Sequence, residues 1–111
     1  MHTTEVVIIG GGPAGSSCAW TLIRNGIDCI ILDRQVFPRV KLCAGWVPPA
    51  VWRDLMIKPE NYPYGLKEIN HLYVSVRGLK VAIPTLQYAI RRVEFDQWLL
   101  ERVDIPVIHH H

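Results

Sequence analysis

The sequence has almost no excess of charge: 12 lysines and arginines stand against 10 aspartates and glutamates in 111 residues, a net charge of +2. That balance supplies neither the basic stripe of a nucleic-acid binder nor an acidic tail, so no nucleic-acid partner is expected. Long apolar runs are missing too. None exceeds the four residues of Val6–Ile9, far below the ~20 needed to cross a bilayer, so no transmembrane segment is expected. The start, Met-His-Thr-Thr-Glu, has neither a basic n-region nor a cleavage pattern, and the chain reads as cytoplasmic. Cysteine is scarce and unpatterned. Cys18, Cys29 and Cys43 form no C-x-x-C pair, and Cys18 and Cys29 fall in segments that read as a buried helix face and a buried strand, which supports neither a disulfide framework nor a zinc site. The terminal His109-His110-His111 has no carboxylate or cysteine at ligand spacing. It reads as a tag remnant or a solvated strand end, and no metal is expected.

What the sequence does contain begins with Val6-Val7-Ile8-Ile9, a β-branched run that reads as a strand buried on both faces and ends in Gly10-Gly11-Gly12. Pro13 suits a first helical position, where its missing N–H has no intrahelical partner. Ala14, Cys18 and Leu22 then recur every four residues, flanked by Gly15, Ala19 and Ile23, until Asn25-Gly26 stops the helix. Cys29-Ile30-Ile31-Leu32 is a second apolar run, ending at Asp33. Strand, turn, helix and strand over 5–33 make a βαβ unit with parallel strands and a right-handed crossover.

A long loop with the cations Arg34, Arg39 and Lys41 follows, then a short helix around Pro49 to Met56. Ile69–Val76 alternates like a half-buried strand, and Arg77-Gly78 turns it into Leu79–Ile83 as an antiparallel hairpin. Helical period returns over 92–103 through Phe95, Leu99 and Val103, and Val107-Ile108 opens another strand. Trp46, Trp52 and Trp98 read as core or interface aromatics. The fold class is therefore α/β, a Rossmann-like βαβ unit with an antiparallel hairpin inserted in a loop region 34–90. So few parallel strands make an incomplete domain, the N-terminal part of a larger protein.

Gly10-Gly11-Gly12-Pro13-Ala14-Gly15 satisfies G-x-G-x-x-G, in which Gly10 permits the turn, Gly12 leaves room for a pyrophosphate and Gly15 lets helix and strand approach. An anion would sit at the helix N-terminus. Asp33, 23 residues after Gly10 at the end of the second strand, suits an adenosine ribose hydroxyl and would repel a 2′-phosphate. These features do not decide between dinucleotides, and a plain NAD-binding domain accounts for them equally well.

Leu32-Asp33-Arg34, Phe37-Pro38-Arg39, Lys41, Cys43-Ala44-Gly45-Trp46 and Arg92–Leu99 resemble the N-terminal motifs of the geranylgeranyl reductase family, within a wider group of FAD-dependent oxidoreductases that includes aromatic hydroxylases and flavin halogenases. The resemblance implies that Gly10, Gly12, Ala14 and Gly15 hold the FAD pyrophosphate and that Asp33, followed by Arg34, holds the ribose. It places Lys41, with Arg39, near phosphate, and Cys43, Ala44 and Gly45 near the flavin. Cys43 is then a candidate catalytic residue, against the alternative of a small packing side chain. Arg92 matches an arginine that reaches FAD from the start of the later helix. Ala44 and Trp46 depart from the frequent Cys-Gly-Gly pattern. The implied parent reduces isoprenoid-type double bonds of an apolar small molecule, with NAD(P)H or a reduced electron carrier as donor and a peripheral membrane contact compatible with such a substrate. The alternatives are an FAD-dependent monooxygenase or halogenase, and a non-catalytic dinucleotide-binding fragment. The 111-residue chain alone is expected to be inactive.

Overall fold

The computed structural model describes residues 3–109. Its α/β architecture divides into two compact units, residues 1–41 with 93–111 and residues 42–92. In the first unit β1 (Val6–Ile9), β2 (Cys29–Asp33) and β6 (Val107–His109) form a three-stranded sheet in the order β1-β2-β6. Both pairings are parallel, with Val6 opposite Cys29 and Asp33 opposite His109. The crossover from β1 to β2 is α1 (Pro13–Arg24), with Gly12 at its N-cap and Pro13 opening the first turn. Leu22 O accepts from the N–H groups of Asn25 and Ile27, and Gly26 at φ +74° completes the stop that Asn25-Gly26 predicts.

The helix presents a different face from the one its four-residue spacing predicts. Ser16 and Ala19 are fully buried, with Trp20 and Leu22 packed against the core, whereas Ala14, Cys18 and Ile23 are exposed. The reason is Gly15, where any Cβ would strike the Gly10 carbonyl oxygen. The point of closest approach sets which side of the helix meets the sheet, and that side passes through Gly15, Ala19 and Leu22. The core of this unit is Ile8, Ala19, Cys29, Ile31 and Val103. Strand β1 is covered on one face only, for Val7 and Ile9 are 49% and 78% exposed, contrary to burial on both faces. An unbroken β-branched run suits a doubly covered strand without creating the second cover. Helix α3 (Arg92–Glu101) buries Phe95 and Leu99 as expected, and the following turn buries Val103. Of the terminal histidines, His109 closes β6, and His110 and His111 lie outside the described residues.

The second unit is built on the hairpin of β4 (Leu66–Val76) and β5 (Leu79–Ile90), with β3 (Trp46–Val47) added antiparallel along β5. Arg77 and Gly78 have φ of +50° and +79°, the pair of left-handed residues that a two-residue hairpin turn requires. Strand β5 runs past Pro84, where the sequence predicts an end at Ile83. A register shift between Ile69 and His71 puts a bulge beside the proline, so the ladder resumes beyond it. Helix α2 (Pro49–Asp54) carries the buried Trp52, whose ring meets Tyr62 and Tyr88 edge-on at 5.5 and 5.9 Å. Trp46 is 54% exposed rather than core, because alternation in β3 gives the inward place to Val47.

Candidate functional site

Strands β1 and β2 end side by side, and an open parallel sheet offers its ligand crevice outside such carboxyl ends. A cavity of about 410 Å³ lies there, lined by Ile9, Gly10, Gly12, Leu32, Asp33, Arg34, Gln35, Arg39 and Lys41. Gly10 turns the chain at φ +101° and donates its N–H to Leu32 O at 2.8 Å, carrying the ladder one residue beyond β1. A Cβ on Gly12 would meet only an Arg39 guanidinium nitrogen at 3.3 Å, so the backbone here is bare toward the cavity. The first turn of α1 contributes N–H groups with no intrahelical acceptor and a partial positive charge.

Asp33 is the single carboxylate among those lining residues, against three cations. Its Oδ2 accepts from Gly11 N at 2.7 Å and its Oδ1 from Gln35 N at 2.8 Å, fastening the glycine turn to the loop after β2. Burial pushes this carboxyl up, but the Gln35 and Gly11 donors with the charges of Arg39 and His109 outweigh it, and the group is held below the ordinary carboxylate range. A folded-state pKa below the unfolded one contributes stability that is complete above the unfolded value, about 3.9, and disappears as pH falls through the folded value. Acid titration of unfolding should show this loss below about pH 4. In Asp33→Asn that arm of the profile should flatten, and an unchanged acid arm would deny the carboxylate its part.

Arg39 crosses the site. Its Nη1 is 3.1 Å from Asp96 Oδ2, its side chain is 11% exposed and that of Asp96 is fully buried, and its guanidinium lies 4.5 Å from the centre of the Phe37 ring. The sequence suggests a phosphate-steering role for Arg39 but not this pairing, since 57 positions separate the partners and no local signal links them. Gly11 has no assigned task in the sequence motif either. Its Cβ would crowd Phe37 at 3.2 Å and Asp33 at 3.4 Å, so the middle glycine is what admits the carboxylate to the turn.

The structure thus brings Gly10, Gly12, Asp33, Arg34 and Lys41 to one cavity, with Ala14 and Gly15 in the helical turn beside it. Cys43, Ala44, Gly45 and Arg92 belong to the second unit. There Cys43 is an exposed thiol outside any disulfide, whose Sγ accepts from Gly45 N at 3.4 Å, and Gly45, at φ +75°, is pressed against the Ile90 carbonyl, where no Cβ fits. Arg92 opens α3. The donor set around the cavity fits the adenosine-diphosphate half of a dinucleotide: bare backbone and cations for phosphate, a carboxylate for a ribose, and the apolar Ile9 and Leu32 for a base.

Residues 3–44 match the family described as FAD binding domain. The chain is similar to the geranylgeranyl diphosphate reductase of Rhodobacter capsulatus, 36% identical over 101 residues that cover 88% of this chain and 25% of the relative. It is also similar to a flavin-dependent halogenase of Armillaria mellea, 34% identical over 116 residues, with 91% and 22% of the two chains covered. The chain spans about a quarter of the length of these relatives. Among solved structures, PqsL of P. aeruginosa shares the fold with a TM-score of 0.81 at 18% identity, covering 96% of this chain and 33% of that one.

Proposed function

We propose, from the chain's similarity to FAD-binding flavoproteins that include a geranylgeranyl reductase and a flavin-dependent halogenase, that its first unit holds the adenosine-diphosphate half of FAD in an oxidoreductase acting on isoprenoid-type double bonds. The observation that carries this reading is the cavity where Gly10, Gly12, Asp33, Arg39 and Lys41 meet at the ends of β1 and β2. The first turn of α1, from Gly12 through Ala14 and Gly15, offers N–H groups to the pyrophosphate, and Arg34, Arg39 and Lys41 supply countercharge. Asp33 has two backbone donors already, and an ionised carboxylate has about four acceptor sites, which leaves capacity for a ribose hydroxyl. Bound FAD supplies the hydride chemistry and the chain supplies binding and orientation. The reducing equivalents come from NAD(P)H or a reduced electron carrier, and the apolar substrate is enclosed by residues of the longer protein. The Armillaria relative favours a second reading, a halogenase or monooxygenase built on the same nucleotide site.

Titration of apoprotein with FAD tests the shared part. Losing a hydrogen bond to a charged acceptor costs about 1.5–3 kcal/mol, so Asp33→Ala should weaken FAD binding roughly ten- to a hundredfold. An unchanged dissociation constant would remove Asp33 from the site. Assays of the flavin-loaded longer protein with geranylgeranyl diphosphate, and with halide and an aromatic acceptor, then separate the two chemistries.

Cys43→Ser addresses the substrate side. If the thiol lines the reacting centre, flavin content should stay at the parent level while turnover falls about tenfold, or about 1.4 kcal/mol of barrier. Turnover and flavin-reduction rate both at parent values would leave Cys43 a packing residue.

A further inference from the structure

The first turn of α1 is fastened from inside the helix. A helix commonly carries Ser, Thr, Asp or Asn at its N-cap, where the side-chain oxygen accepts from the N–H of the second or third helical residue. Here the N-cap is Gly12, at φ −70° and ψ −172°, and the turn it opens has neither a side-chain cap nor an acidic residue. Ser16 does the fastening instead. It is fully buried and holds the Gly12 carbonyl oxygen twice, its N–H and its hydroxyl each donating at 2.9 Å. The Pro13 carbonyl oxygen is a second, longer acceptor for the hydroxyl at 3.3 Å.

Packing alone does not call for that hydroxyl. The other buried residue of α1 is Ala19, and alanine at position 16 would be a better helix former with no polar atom to satisfy in a place without water. The two ways of fastening a helix end differ in the groups they occupy. A cap oxygen takes up an N–H at the helix end, whereas Ser16 takes up carbonyl oxygens. The N–H groups of Ala14 and Gly15, second and third in the helix, are thereby left without an intrahelical acceptor, and Pro13 has none. The longer arm of the hydroxyl also polarises the Pro13–Ala14 peptide, whose N–H is that of Ala14. We infer that Ser16 is a positioning residue for the pyrophosphate: its hydroxyl locks the Gly12–Pro13 peptide from within the helix, and so aligns the Ala14 and Gly15 donors while leaving them open to an anion. This deepens the nucleotide reading of the cavity at Gly10, Gly12, Arg39 and Lys41, and rests on it.

Adenosine and ADP differ only in their phosphates, so calorimetric titration of the full 111-residue chain with each isolates the effect. The parent should bind ADP more tightly than adenosine. Ser16→Ala should weaken ADP binding about three- to tenfold, as charge-assisted hydrogen bonds lose alignment and polarisation, and should leave adenosine at the parent value. Its urea midpoint should equal or exceed that of the parent, since a serine bonded back to the preceding turn destabilises a helix slightly. The amide proton resonances of Ala14 and Gly15 should move downfield when ADP is added, and less far in the variant. Ser17→Ala, the same change one residue on, is the control and should alter none of these. A parent ratio of ADP to adenosine affinity carried unchanged into Ser16→Ala overturns the inference. So does a variant that loses affinity for both ligands alike and unfolds at lower urea, which would make Ser16 a residue of the fold only. Equal affinities of the parent for ADP and adenosine would overturn the nucleotide reading itself, and the inference with it.

Discussion

Gly15→Ala should unfold the first unit at markedly lower urea than the parent, although alanine is the better helix former by about 1 kcal/mol. Gly15 sits in the first turn of α1, and an added Cβ would overlap the Gly10 carbonyl oxygen, with the Gly10 carbonyl carbon at 3.0 Å and the Ile8 side chain at 3.2 Å behind it. Backbone cannot rotate aside as a flexible side-chain tip does. Gly10 is held by its bond to Leu32 O, so the helix itself has to lift. Lifting it opens the contacts of Ser16 and Ala19, both fully buried, with the core of Ile8, Cys29 and Ile31. Overpacking costs about 1–3 kcal/mol where side chains can adjust. A clash with fixed backbone belongs above that range, a large share of the stability of a small unit. Gly65→Ala is the control, since nothing lies within 4 Å of its Cβ and its φ is ordinary. A Gly15→Ala midpoint equal to that of Gly65→Ala would mean that helix and strand are not in closest contact here.

That closest approach also explains where sequence reading succeeded and where it stopped. The βαβ unit was legible because its signals are local: a β-branched run, a glycine turn, Pro13, a helix stop and Asp33 all fall within 28 consecutive positions from Val6. Arg77-Gly78 was legible for the same reason, as only certain residues tolerate two left-handed positions in succession. The rotation of α1 was not. Four-residue spacing reports which side chains are apolar, whereas the buried side is decided by which Cβ is absent, and that reverses Cys18 and Ser16. The continuation of β5 was hidden by Pro84, since the bulge that tolerates it depends on pairing with β4. Of the residues lining the cavity, Gly10, Gly12, Asp33 and Lys41 are candidates that the sequence motifs name, while the Gly11–Asp33 bond and the Arg39–Asp96 pair exist only once the chain has folded back on itself.

The Arg39–Asp96 pair is where removal of one side chain should be felt most at the nucleotide site. Asp96 is fully buried in α3 and Arg39 is 11% exposed, so water does little to screen them. The same guanidinium lies beside Gly12 at the N-cap of α1, where the helix end carries roughly half a positive charge. Asp96 is therefore the carboxylate paired directly with Arg39, in a region where Asp33 is the only lining carboxylate against Arg34, Arg39 and Lys41. Breaking a buried pair by deleting one partner costs about 3–5 kcal/mol, because the remaining charge stays buried without compensation. Asp96→Ala should lower unfolding stability by about that amount, and Asp96→Asn, which keeps an acceptor, by less. A cycle with Arg39→Ala should give a coupling of at least about 1 kcal/mol, since the aspartate matters mainly while the arginine is present. The variant should also respond more strongly to nucleotide. A diphosphate bound at the helix end supplies the anion that Asp96 no longer does, so ADP should raise the midpoint of Asp96→Ala by more than it raises that of the parent. Strictly additive costs in the cycle, or equal ADP responses, would mean that the arginine is held in place by its stacking on Phe37 and that the carboxylate balances some other group.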